Sequence, residues 1–137
     1  MASLQQLNLL RRLYHRQDNF MTQTFTTNAN NDIFINDQGN LDISTGLNGV
    51  LQACQTAAKA QLGEMIYATT SGVPNFQTLW NGSPNIQQWE AALTNVLESV
   101  TGVSNVLSLD VSVNNNAVSY TATILTMYGE GALNGNF

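Results

Sequence analysis

The side chains that most often carry catalysis are scarce in this sequence. His15 is the only histidine and Cys54 is the only cysteine. His15 belongs to the first twenty residues, whereas Cys54 falls on the apolar side of a predicted helix, where a buried and inert thiol is expected. The main domain therefore lacks a Cys-His or Ser-His-Asp arrangement and a histidine- or cysteine-based metal site. We expect that the protein is not an enzyme and uses no cofactor.

Three aspartates recur in one stretch, at Asp32, Asp37 and Asp42, with asparagines between them. Oxygen-bearing side chains in a loop can bind calcium, but a calcium loop needs a closing glutamate, and none stands at the required offset. The stretch Gly129-Glu130-Gly131 lacks the flanking strand, helix and lysine of a phosphate-binding loop. We interpret the aspartates as turn-forming residues and expect no metal site.

Glu64 is the only acidic residue in a loop that is rich in aromatic side chains. Two interpretations are open for it. Its carboxylate could tie the loop to backbone N–H groups or to an arginine of a partner, or it could be an exposed loop carboxylate. A role as catalytic acid is disfavoured because no second group is in place to work with it.

The loop itself, from Leu62 to Pro84, separates the two predicted helices. At about twenty residues it is long for a compact domain, yet it is too apolar for a disordered linker. We expect an ordered loop that packs on the domain or against a partner. The candidate partner or loop-anchor residues in this loop and around the last predicted strand are Glu64, Tyr67, Phe76, Trp80, Tyr120, Ile124 and Tyr128.

Apolar residues at helical spacing predict one helix on each side of this loop. The first helix runs to about Leu62, with Gly63 placed to end it. Its apolar stripe is rich in alanine, so another element can approach it closely. The second helix begins at Ser83-Pro84, a hydroxyl cap followed by a proline at the first helical position, and ends at Gly102.

Two hairpins complete the predicted fold. The first has strands over 32–35 and 41–43 around a turn at 36–40, and the second alternates apolar and polar residues over 107–113 and 118–124. Leu125 and Met127 shift the apolar phase by one residue, which predicts a bulge or a passage into another environment. The fold class is α+β, with two main helices packed on a small antiparallel or mixed sheet, an N-terminal hairpin and a C-terminal hairpin.

The chain divides into three parts. Residues 1–21 are an N-terminal extension, in which leucines at helical spacing predict a short amphipathic helix that needs a partner to hold it. We interpret this part as an upstream extension, because Met21 opens a stretch that looks like a natural start; a docking arm is the alternative. Residues 22–128 form a single α/β domain, and the Gly/Asn-rich residues 129–137 form a flexible tail.

Charge is low and unevenly placed. Charged residues make up 9% of the chain and the formal net charge is −5, against roughly 25% charged residues in typical proteins. Arg11, Arg12 and Arg16 lie near the start, and from Gln17 onward one lysine stands against nine Asp and Glu. This balance argues against a nucleic-acid-binding surface on the main domain. No apolar run approaches the roughly eighteen residues of a membrane span, and the first twenty residues do not resemble a secretory signal.

Several short motifs occur in an order that resembles a known family. They are Asp32-Ile33 with Gln38-Gly39-Asn40-Leu41, Leu51-Gln52, Leu62-Gly63-Glu64 with Gly72-Val73-Pro74, the helix from Pro84, Gly102-Val103, and the strand over 118–124. Over about residues 30–128 the chain is similar to the lysozyme-like small baseplate proteins of contractile-tailed phages, the baseplate wedge or sheath-initiator family. Many members have an arginine in the loop after the glutamate. Residues 65–71 here hold none, so the resemblance does not carry over a salt bridge within this loop.

The resemblance implies a structural protein of the virion, in the tail baseplate, that assembles in the host cytoplasm. Its implied partners are other baseplate wedge proteins, the tail sheath protein and the tail tube region, in a six-fold symmetric assembly without nucleic acid or membrane. It would join wedge proteins near the tube and seed the first sheath ring by strand pairing at a free edge of the C-terminal hairpin. The alternatives are another tail protein, such as a tube-capping or tail-completion protein, and a small cytoplasmic regulator of similar fold.

Overall fold

The computed structural model describes Ser3 and residues 22–137. The predicted N-terminal helix therefore falls on residues that lie, apart from Ser3, outside the described part. The elements in chain order are β1 (Thr24–Phe25), β2 (Ile43–Ser44), α1 (Gly46–Lys59), α2 (Asn75–Thr78), α3 (Ile86–Glu98), β3 (Val103–Asn114), β4 (Ala117–Thr126) and β5 (Gly129–Asn136).

Strands β3, β4 and β5 form an antiparallel sheet with β4 in the centre. The turn between β3 and β4 consists of Asn115 and Asn116, with φ of 48° and 68°. Two successive positive φ values are typical of the type I′ turn, whose twist suits a two-residue hairpin, and asparagine tolerates them better than most residues. The predicted C-terminal hairpin is confirmed.

The residues after Tyr128 form the strand β5, so the prediction of a flexible tail over 129–137 is wrong. Gly131 and Gly135 explain the strand, because both face the interior where there is no room for a side chain. A Cβ at Gly131 would lie 2.7 Å from Leu51 Cδ2, and one at Gly135 would lie 2.6 Å from Tyr120 Cε1. A glycine-rich composition here permits close packing of a strand.

Helices α1 and α3 cover one face of this sheet, α1 mainly over β5 and α3 mainly over β3. Alternate residues of β4 point toward them, and the predicted α+β class is confirmed. The buried apolar residues are Val50, Cys54, Ala58, Val73, Leu79, Trp89, Leu93, Leu97, Val118, Tyr120, Ala122, Ile124 and Leu133.

Both main helices are shorter than predicted because the loop between them makes long-range hydrogen bonds. Helix α1 ends at Lys59, and the next residues extend to pair with the chain at Val73: Val73 N donates to Ala60 O (2.8 Å) and Leu62 N to Val73 O (3.0 Å). Helix α3 is capped by Asn85, not by Ser83. The side chain of Asn85 accepts from Gln88 N at 3.1 Å.

The N-terminal hairpin keeps its predicted turn but not its predicted strand pairing. Asn36 Oδ1 accepts from the backbone N of Gln38 and of Asn40, as expected of a self-bonding turn residue. The two sides of this turn share a single β-bridge, between Ile35 and Leu41, and the return strand β2 pairs with β1 instead. A second bridge joins Thr27 to Ile33. We call residues 24–44 the N-terminal ribbon.

The predicted bulge near Leu125 lies on the neighbouring strand. The β3–β4 register shifts twice, between Val103 and Asn105 and between Val106 and Ser108, opposite this end of β4. Strand β4 itself keeps its alternation, and the next buried position is taken by Thr126, whose hydroxyl donates to Gly129 O at 2.8 Å.

Candidate interaction surfaces

The described residues, 3 and 22–137, contain no group of three or more His, Cys, Asp or Glu side chains that could hold a metal ion. Cys54 is a buried free thiol, and burial raises its pKa to about 11. The thiolate that acts as nucleophile is therefore scarcely populated near neutral pH. Within the same residues, no helix combines the length and apolar character needed to cross a membrane.

Glu64 makes a local backbone contact. Its Oε2 accepts a hydrogen bond from Gln61 N at 3.0 Å, across the turn that follows α1. The carboxylate is exposed, so it fixes this turn without being buried in the domain. A backbone N–H is one of the two kinds of partner expected for Glu64 as a loop anchor; a contact with another protein stays a prediction.

Two large apolar side chains project from the loop just after this turn. Tyr67 is 102% exposed and Ile66 is 84% exposed. Monomeric proteins seldom hold out adjacent large side chains with so little protein contact, and such positions commonly mark an interaction site. The structure thus gives Tyr67, a predicted contact residue, a position from which it can reach a partner.

Phe76 and Trp80 lie further along the same loop, on and just after α2. Their rings meet edge to face with centroids 5.1 Å apart, and each stays at least half exposed. Leu79, between them, is buried and holds this turn of chain against the core. The two predicted contact residues are therefore brought together as one aromatic surface.

Tyr120 and Ile124 are placed elsewhere than predicted. Both point from β4 into the core, 4% and 0% exposed, so neither side chain can contact a partner in this conformation. Tyr128 is half-buried against the core, and its hydroxyl is buried with no hydrogen-bond partner among the described residues. These three residues belong to the packing of the sheet and not to its outer surface.

A groove of about 700 Å³ runs between α1 and α3. Its lining includes Ala57, which the helical spacing placed on the apolar stripe of α1, and also Ala53, with Ala92 and Val96 of α3.

An apolar surface that the sequence reasoning missed lies on the N-terminal ribbon. Five large apolar side chains there are about half exposed or more: Phe25, Ile33, Ile35, Leu41 and Ile43. They occupy odd-numbered positions, which share one face of the ribbon because side chains alternate along a strand. The signal was the period-2 apolar pattern, but the pairing that aligns Phe25 with Ile43 was not predicted.

Among the described residues, no further strand pairs with the two edges of the sheet, β3 and β5. Val118 and Phe137 exchange both backbone hydrogen bonds, at 3.1 and 2.7 Å. Because bonded pairs alternate along an antiparallel ladder, the register makes every second residue of β5 point its N–H and C=O away from β4. These outward residues, all exposed, are Glu130, Ala132, Asn134 and Asn136.

A family model described as "Contractile injection system sheath initiator" matches residues 23–129. The match covers the N-terminal ribbon, both main helices, the loop between them and the β3–β4 hairpin, and it ends at the first residue of β5. No match to a curated protein was found.

Proposed function

This chain belongs to the sheath-initiator family of contractile injection systems, and we propose that it seeds the first ring of tail sheath by accepting a strand along β5. The family gives the protein a structural role in a contractile tail, with tail sheath and baseplate components as its partners. The proposal adds the edge that is used and the mode of contact, which is main-chain pairing.

The observation that carries the proposal is the regular, open edge of β5. Eight consecutive residues pair with β4 without a register shift, so the outward N–H and C=O groups stand at even spacing. The outward positions hold small or short polar side chains with one exception, Glu130, so an incoming strand meets little steric hindrance. Strand addition at such an edge gives affinity through the main chain.

The opposite edge is less suited to this contact. Strand β3 carries two register shifts, and irregularities of this kind twist an edge and interrupt its row of hydrogen-bonding groups. We therefore assign strand exchange to β5.

The exposed loop supplies a second surface for the baseplate. Tyr67 and Ile66 project away from the domain, and Phe76 with Trp80 forms an aromatic surface of the kind that often anchors interfaces. We assign these residues to wedge proteins near the tube. In this proposal the protein occupies a six-fold ring of the virion baseplate, assembles in the host cytoplasm and performs no catalysis.

A proline at Ala132 tests the role of β5. Ala132→Pro removes one outward N–H and leaves the inward bonds to β4 intact. We expect the variant protein to fold and to enter baseplates, while the tails carry no sheath by negative-stain electron microscopy. Asn134→Pro, at the next outward residue, should give the same result. Val113→Pro is the matched control, because it removes an outward N–H from the exposed end of β3.

Two results would overturn the proposal. One is normal sheathed tails with both β5 variants present at wild-type level. The other is loss of sheath with Val113→Pro alone, which would move the contact to β3. In wild-type particles, cryo-electron microscopy should place the protein in a ring beneath the first sheath disc; density at the neck would indicate a tail-completion protein.

A further inference from the structure

The apolar face of the N-terminal ribbon holds five large side chains that are about half exposed or more. Ile35 is 67% exposed, and Phe25, Ile33, Leu41 and Ile43 lie between 48% and 54%. Direct pairing of Phe25 with Ile43 and of Ile35 with Leu41 places them side by side. A contiguous apolar face of this kind usually has an occupant.

The ribbon is held firmly enough to act as a docking platform. Thr26 and Ser44 join their hydroxyls at 2.7 Å, and Gln52 Nε2 of α1 donates to Thr27 Oγ1 at 2.7 Å. The first contact joins the two strands of the ribbon and the second connects the ribbon to α1, while the apolar face stays exposed. The face is therefore available without rearrangement of the domain.

The chain itself supplies a segment of matching chemistry close to this face. Leu4, Leu7, Leu10 and Tyr14 in residues 4–16 follow a helical repeat. Residues 17–21 join that segment to Thr22, whose hydroxyl donates to Thr101 O at 2.6 Å. Five residues can span up to about 17 Å, and Phe25 follows Thr22 by three positions, so the segment can turn back over the ribbon.

Charge also favours contact between residues 4–16 and the N-terminal ribbon. Residues 4–16 carry three arginines and no acidic residue, whereas residues 22–45 carry three aspartates and no basic residue. Asp32 and Asp37 are exposed at the two turns of the ribbon. Exposed ion pairs contribute little energy each, but they favour this orientation over a random one.

We propose that residues 4–16 dock as an amphipathic helix on the apolar face of the N-terminal ribbon of the same chain. A helix of 13 residues is about 20 Å long and is marginal in water alone, so it forms only against an apolar surface. The docked helix covers the ribbon and buries the leucine stripe that the sequence carries. This contact is independent of strand exchange at β5.

Isoleucine methyl NMR of the full-length chain tests the proposal. The six isoleucines are Ile33, Ile35, Ile43, Ile66, Ile86 and Ile124, and the first three lie on the face. In the unmutated chain we expect methyl–methyl NOEs between these three and the leucines of residues 4–10. Leu7→Asp with Leu10→Asp should shift the three ribbon methyl resonances and leave those of Ile66 and Ile124 in place.

A matched control adds the same charge away from the leucine stripe. In Gln5→Asp with Asn8→Asp, the three ribbon resonances should shift by only a small fraction of the change seen in the leucine variant. Absence of the NOEs in the unmutated chain overturns the proposal without reference to any variant. Shifts that grow with protein concentration also overturn it, because they would assign the face to a second copy.

Discussion

Trp89 and Asn75 form a buried hydrogen bond, in which the indole N–H donates to Asn75 Oδ1 over 2.7 Å. Asn75 begins α2 in the long loop, and Trp89 lies on α3. The indole also packs edge to face against Tyr120 and Phe137, with centroid distances of 6.2 and 5.4 Å. One side-chain pair thus connects the loop to α3, to β4 and to the residue that follows β5.

Asn75→Ala should destabilise the fold by about 1–3 kcal/mol, because it leaves the buried indole N–H without an acceptor. Chemical denaturation followed by tryptophan fluorescence measures the change. Gln77→Ala, at an exposed position of the same short helix, is the control and should change the free energy of unfolding by less than about 0.5 kcal/mol. Equal effects of the two variants would contradict a special role for the Asn75 contact.

Gly135→Ala should be more damaging than Gly131→Ala. The added Cβ at 135 would lie 2.6 Å from the ring of Tyr120, which is packed between other rings and cannot move away. At 131 the Cβ meets the end of the Leu51 side chain, which can rotate. We expect a loss of about 1–3 kcal/mol for Gly135→Ala and under about 1 kcal/mol for Gly131→Ala, from thermal or urea unfolding. The reverse order would refute this packing argument.

Stability should fall in alkali. Burial raises the pKa of the Cys54 thiol from 9.0 to about 11, and burial followed by the charge of Cys54 raises that of Tyr120 from 10.0 to about 12. The unfolded chain loses these protons first, so the stabilisation is complete below pH 9 and declines above it, by about 1.4 kcal/mol per pH unit and group.

Cys54→Ala isolates the thiol contribution to this pH dependence. Between pH 9 and 10, where the tyrosine contributes little, the variant should show a shallower decline in unfolding free energy than the wild type. Urea titrations at half-unit pH intervals provide the measurement. Parallel curves for the two proteins would show that burial does not keep the Cys54 thiol protonated in this pH range.

Tyr67→Ser should separate folding from assembly. The side chain is fully exposed, so the free energy of unfolding should change by less than about 0.5 kcal/mol. If Tyr67 anchors a baseplate contact, its loss costs about 1–2 kcal/mol of binding, or roughly tenfold in competition. Mass spectrometry of particles from cells that express both forms gives the ratio, with Thr69→Ser as the control. Equal incorporation of the two forms would show that Tyr67 does not contribute to a baseplate contact.

The helices and the β3–β4 hairpin could be predicted because their apolar periodicity is local. The helix ends could not, since Gln61 pairs with Val73 and Asn85 N bonds to Thr78 O across the loop. Strand β5 was missed for a related reason. Its glycines signal flexibility in isolation, and only the closeness of Leu51 and Tyr120 reveals why a strand with almost no side chains fits there.

Residues that are free to meet a partner could be chosen from the sequence where the loop itself sets their surroundings. Tyr67, Phe76 and Trp80 are exposed, and their contacts with partners stay a prediction. Tyr120 and Ile124, the candidates on the last predicted strand, are not exposed. Both residues lie on the apolar face of the strand, which in an antiparallel sheet packs on the core, so the alternation itself indicated that the helices would cover them.

The two register shifts in β3 also affect whether copies of this chain can associate through their sheet edges. A sheet with two regular edges could pair edge to edge with identical copies without limit, as fibre-forming sheets do. Because one edge of this sheet is irregular, a row of identical copies cannot extend beyond the first edge-to-edge pairing. The same distortion makes the two edges of the sheet different, so the strand exchange proposed at β5 can add a partner on one side of the subunit only.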